Sequence, residues 1–141
     1  MSFRTDILAN IETTLKATVG LSDTSVFVGK LVDFDIDNLP AGVSLPIAFA
    51  IQGPEQKAPE QVHGFETWNW TVTAEVWCTD TAVETLYEAI HAALMVDITR
   101  GGFARKFERT GGDVLPVDPG RGLAAFQQTY QIQYRHPWGT P

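Results

Sequence analysis

Between Glu66 and Asp80 the chain alternates with a period of two. Trp68, Trp70, Val72, Ala74, Val76 and Cys78 fall on one side, and Thr67, Asn69, Thr71, Thr73 and Glu75 on the other, the pattern of a half-buried strand. The period then changes. Val83, Leu86, Tyr87, Ile90 and Leu94 recur at helical spacing, which predicts a helix over about 81–97, and Thr81 with Glu84 three residues on has the form of a capping box. A long strand that feeds straight into an amphipathic helix predicts an α+β domain, with the helix folded back over the tryptophan face.

The same reading extends along the rest of the chain. Phe3, Ile7, Ile11 and Leu15, widened by Leu8, predict a first helix over about 3–18, ended near Gly20. Ser25–Lys30 is short, β-branched and aromatic, and Leu45–Gln52 is an apolar run between glycines; both are expected to be strands. From Gly53 to Gly64 the composition turns to Pro, Glu, Gln and Lys, which predicts a solvated loop of a length that is usually functional or disordered. A strand is expected again at Phe103–Glu108, with a turn at Thr110–Asp113 and a returning strand over Val114–Asp118. The last long strand, Leu123–His136, sets Phe126, Gln128, Tyr130, Ile132 and Tyr134 on one face. Ala125, Gln127, Thr129, Gln131, Gln133 and Arg135 stand on the other, so the outward side is rich in amides. Residues 137–141 form a short tail in which Trp138 is expected to dock on something.

At 141 residues one domain is expected, and 44% hydrophobic with 19% charged residues is the composition of a folded chain. The net charge of −7 argues against general affinity for nucleic acid, which depends on lysine and arginine displacing counterions. The charge is unevenly spread. Residues 1–99 hold four basic against fourteen acidic side chains, a net of −10, and residues 100–141 hold six against three, a net of +3. The single cysteine excludes an intrachain disulfide, and with no apolar run long enough to cross a bilayer and no signal-peptide pattern the chain is expected to be soluble and intracellular when made.

Candidate chemistry changes little. Asp33, Asp35 and Asp37 alternate as in a calcium loop, but the sixth and twelfth positions are Asn38 and Ser44 where an EF-hand needs Gly and Glu. Glu84 and Glu88 lie one turn apart beside His91, a remote basis for a metal- or small-molecule-binding enzyme built on them and the three aspartates; the plainer reading is a solvated helix face. His63, His91 and His136 are scattered, and Cys78 lies on the apolar face, so no catalytic residue, metal or cofactor is expected. Surfaces remain. The positions expected to meet a neighbouring subunit or another protein are Asp33, Asp35, Asp37, Trp77, Arg100, Arg105, Arg109, Gln131, Gln133 and Trp138.

The order of elements resembles one family. Thr73-Ala-Glu-Val-Trp-Cys-Thr-Asp80 running into Glu84-Thr-Leu-Tyr-Glu-Ala-Ile-His-Ala-Ala-Leu94, with Thr129-Tyr-Gln-Ile-Gln-Tyr-Arg-His136 at the end, is similar to the tail terminator proteins of long-tailed bacteriophages, over about residues 1–138. The resemblance implies an α+β subunit with an antiparallel or mixed sheet of about four to six strands flanked by two main helices. It implies a non-catalytic virion protein, made in the host cytoplasm and sited in the neck at the top of the tail. Its expected partners are copies of itself in a hexameric ring, the tail tube protein, the head-completion or connector protein and, in a contractile tail, the sheath. DNA would pass through without specific binding, and no membrane is involved. Another neck or tail-completion protein bridging connector and tail is the alternative within the same class.

Overall fold

The two alternating stretches become the central neighbours of one sheet. In the computed structural model, the structure describes residues 3–18, 21, 25–29, 41, 43, 45–62, 65–102, 104–118 and 122–137. The elements are α1 (Phe3–Ala17), β1 (Val26–Gly29), β2 (Ile47–Val62), β3 (Phe65–Thr79), α2 (Val83–Met95), β4 (Lys106–Asp118) and β5 (Leu123–Pro137). The strand order is β1-β2-β3-β5-β4, with β1 parallel to β2 and every other pair antiparallel. This is the expected α+β class with a mixed five-stranded sheet. β3 and β5 pair without interruption from Phe65 opposite Pro137 to Thr79 opposite Leu123.

Both helices cover the same face of the sheet. Ile7, Ile11 and Leu15 of α1 and Val83, Leu86, Ile90 and Leu94 of α2 join Trp70, Val72, Ala74, Val76, Phe126, Tyr130 and Ile132 in one core cluster. The periods of 3.6 and 2 read in the sequence therefore meet across a single layer boundary. Trp70, Phe126 and Ile132 are fully buried, and each such side chain contributes about 1.5–3 kcal/mol by leaving water.

Three local expectations are overturned. Gly53–Val62 is not part of a solvated loop, because β2 continues to Val62 and pairs with the first half of β3; His63 and Gly64 lie outside the described residues. Its prolines are tolerated because Pro54 and Pro59 fall in the two register shifts, between Gln52 and Glu55 and between Lys57 and Gln61, where the ladder has no regular bond to lose. Gly53 is required there, since a Cβ would stand 2.9 Å from the Thr71 carbonyl oxygen.

Thr110–Asp113 does not turn either. β4 runs straight through it, with one shift against β5 between Arg109 and Gly111. The second glycine leaves room for α2: a Cβ on Gly112 would lie 2.0 Å from the Tyr87 hydroxyl. The capping box at Thr81 and Glu84 does not form. Ala82 is the N-cap of α2 with no side-chain cap, and the Thr81 hydroxyl bonds that of Thr79 at 3.2 Å.

Candidate interface surfaces

The sheet face away from the helices carries three of the positions expected to meet a partner, Trp77, Gln131 and Gln133. Pairing places Glu75 opposite Gln127, Trp77 opposite Ala125, Thr71 opposite Gln131 and Asn69 opposite Gln133 on that face. These side chains bond one another. Trp77 Nε1 donates to Glu75 at 2.9 Å and Gln127 Nε2 donates to its other carboxylate oxygen, leaving Glu75 only 8% exposed. Gln133 Nε2 donates to Asn69 Oδ1 at 3.3 Å, and Arg135 Nε to the Thr67 hydroxyl at 3.1 Å. Trp77, Gln131 and Gln133 are half-buried. The face is thus a polar ladder that satisfies many of its own groups while leaving amides and hydroxyls within reach of another surface. Toward β1 it becomes apolar, where Phe27 stacks on Phe49 at 5.7 Å and Ile47 and Phe49 are buried.

The basic residues separate into two roles. Arg105 is exposed. Arg109 is exposed too, but its guanidinium lies 5.5 Å from the centre of the Tyr87 ring and 3.4 Å from Gln128 Oε1. Arg100 points inward and is 1% exposed. It donates from Nη2 to the Leu94 carbonyl at 2.6 Å, from Nε to that of Asp97 at 2.8 Å and from Nη1 to the Thr14 hydroxyl at 3.2 Å, and its guanidinium carbon lies over the Phe107 ring, 5.0 Å from the centre. It closes the C-terminal end of α2 and ties it to α1. Asp33, Asp35, Asp37 and Trp138 lie outside the described residues.

Beneath α2 runs a polar chain that the alternation did not announce. Gln128, on the inward face of β5, donates to the Tyr87 carbonyl at 2.8 Å and accepts from the Tyr130 hydroxyl at 2.8 Å. With its one proton so placed, the Tyr130 oxygen accepts from His91 Nδ1 at 3.0 Å. Burial, and then the charge of Arg109, lower the His91 pKa, and burial raises that of Tyr130, so the neutral forms are favoured. Glu84 and Glu88 stay exposed. Cys78 is buried and its thiol is pushed up to about 11, which suits a small core residue.

The fold is similar to that of a chain in a solved virion. That structure is described as the virion of a native gene transfer agent particle, and the likeness has a TM-score of 0.56 at 13% identity, over 96% of this chain and 98% of the other. It is a likeness of fold, and it runs end to end. No protein-family model matches the sequence, and no curated protein matches it.

Gln128, Tyr87 with Gly112, and the Arg4–Glu55–Tyr134 group were not anticipated as structural contacts. Arg4 pairs with Glu55 at 3.0 Å and lies 5.6 Å from the Trp70 ring centre, while the Tyr134 hydroxyl donates to the same carboxylate. An amide inside an otherwise apolar face and a glycine pair inside a strand were the available signals.

Proposed function

We propose that this chain is a structural virion protein that assembles as a hexameric ring on the end of a phage tail tube. There it stops tube growth and offers a surface to the head connector, and it acts by shape and association without catalysis. The reading is carried by the end-to-end likeness in fold to a virion chain, with 96% and 98% of the two chains covered. The resemblance of the Thr73–Asp80, Glu84–Leu94 and Thr129–His136 stretches to tail terminators supplies the finer role.

Charge supports the same reading. A net of −10 over residues 1–99 and +3 over 100–141 suits head-to-tail contacts, in which the acidic part of one subunit meets the basic part of the next. An acidic subunit also suits a channel through which DNA slides without being held. The test is negative-stain imaging and light scattering of the purified chain, with and without its tail tube protein. Six-membered rings on tube ends and tubes of limited length are expected; a chain that never associates with tubes would sink the proposal.

A further inference from the structure

β4 bounds one side of the sheet, and its second edge pairs with nothing among the described residues. An open edge of this length, thirteen residues, presents backbone donors and acceptors that can template another strand. The opposite margin is poorly suited to supply that strand. β1 has only four residues, and beyond Ile51 β2 carries Pro54 and Pro59, which lack the N–H that a ladder needs. In β4 the only proline is Pro116, so residues 106–115 all have an N–H, and those not turned toward β5 present theirs at the open edge, on either side of the shift between Arg109 and Gly111. The strand best able to pair with this edge is its own copy.

Charge fixes how two copies meet. Lys106 and Asp113 stand opposite Gln133 and Gln127 of β5, on the face away from the helices, and both are exposed. In an antiparallel pairing about a two-fold axis between Arg109 and Thr110, Lys106 of one copy comes opposite Asp113 of the other on the same face, and the symmetry makes that pair twice. Val114, 40% exposed, comes opposite Arg105, whose methylenes can cover it. A parallel arrangement in register would set Lys106 against Lys106, and a slip by one residue would put the charges on opposite faces. The existing Lys106–Glu108 contact, 3.4 Å between exposed groups, is weak enough to exchange.

We propose that the free chain dimerises through this edge, β4 against β4 of a second copy, so that two five-stranded sheets continue as one. The dimer belongs to the chain before it meets a tube and does not depend on the ring reading. Sedimentation of the full chain, without tube protein and over a range of concentrations, tests it. A monomer–dimer equilibrium is expected. Asp113→Lys sets lysine against lysine at both positions and weakens the dimer about tenfold or more; Lys106→Asp alone weakens it similarly, and the two exchanges in one chain restore it. A chain monomeric at every concentration, a free hexamer in place of the dimer, or a dimer indifferent to the single exchanges or not restored by the double one overturns the proposal. Ring formation on tube ends is scored separately, so either idea can fail alone.

Discussion

Gly112 has no Cβ, and the Tyr87 hydroxyl fills the place where one would stand, 2.0 Å from its ideal position. The Tyr87 ring is also held edge-on to Phe126 at 5.3 Å and beneath the Arg109 guanidinium. Gly112→Ala therefore has to move a packed aromatic, at a cost of about 1–3 kcal/mol. Chemical denaturation should show that loss, and Tyr87→Phe added to the alanine variant should recover part of it, because the nearest clash is with the hydroxyl. Asp97 acts over a similar range. Its carboxylate accepts from the Thr99 hydroxyl, the Gly101 amide and the Thr99 amide, which together hold its pKa at about 2 against an ordinary 3.8. The folded value lies below the unfolded one, so the turn gains stability above the ordinary value and loses it as pH falls through the folded one. The Thr99 and Gly101 amide resonances should titrate with a midpoint near 2; a midpoint at 3.8 would show that the turn does not hold the carboxylate.

α2 begins without a side-chain cap, and its last turn is closed by a buried arginine that follows it in the chain. Arg100 sits at a φ of 49°, an uncommon backbone for a residue with a Cβ, and from there its fork reaches the Leu94 and Asp97 carbonyls. Arg100→Ala leaves those acceptors unmatched and opens space beside Phe107, and should cost about 2–4 kcal/mol, read as a lower urea midpoint. Arg100→Lys should recover little, because an ammonium lacks the planar fork. Among the elements, those whose period is carried by apolar residues were legible in the sequence: α1, α2, β3 and β5 lie within a few residues of their expected limits. The second half of β2 and the middle of β4 were not. There Gly53, Pro54, Pro59, Gly111 and Gly112 give the local chemistry of turns, and only pairing with a neighbouring strand converts the shifts into bulges within a continuous ladder. The surface was legible as residue types alone. Arg100, Arg105 and Arg109 look alike in the chain, yet one is a buried clamp, one rests on a tyrosine and one is exposed.

For the whole molecule the proposed ring makes a separate demand on charge. Arg105 and Arg109 lie on the basic side of the split and remain accessible. Arg105→Glu with Arg109→Glu should lower ring occupancy on tube ends by tenfold or more, about 1.4 kcal/mol, and more steeply at low salt. Occupancy that does not change would remove charge from the account of assembly. The strand order carries a further consequence, in time as well as space. β4 precedes β5 in the chain, yet β5 lies between β3 and β4 and supplies the ladder for both. As the chain leaves the ribosome, β3 and β4 are both exposed before the strand that joins them has been made, so the sheet closes only after β5 inserts between them. β4 pairs with β5 locally, from Asp118 opposite Leu123, but the pairing of β3 with β5 is distant in sequence, and such pairing is slow and leaves edges open to other chains in the meantime. Rapid synthesis at high concentration should therefore divert more of this protein into aggregates than its folded stability alone would suggest.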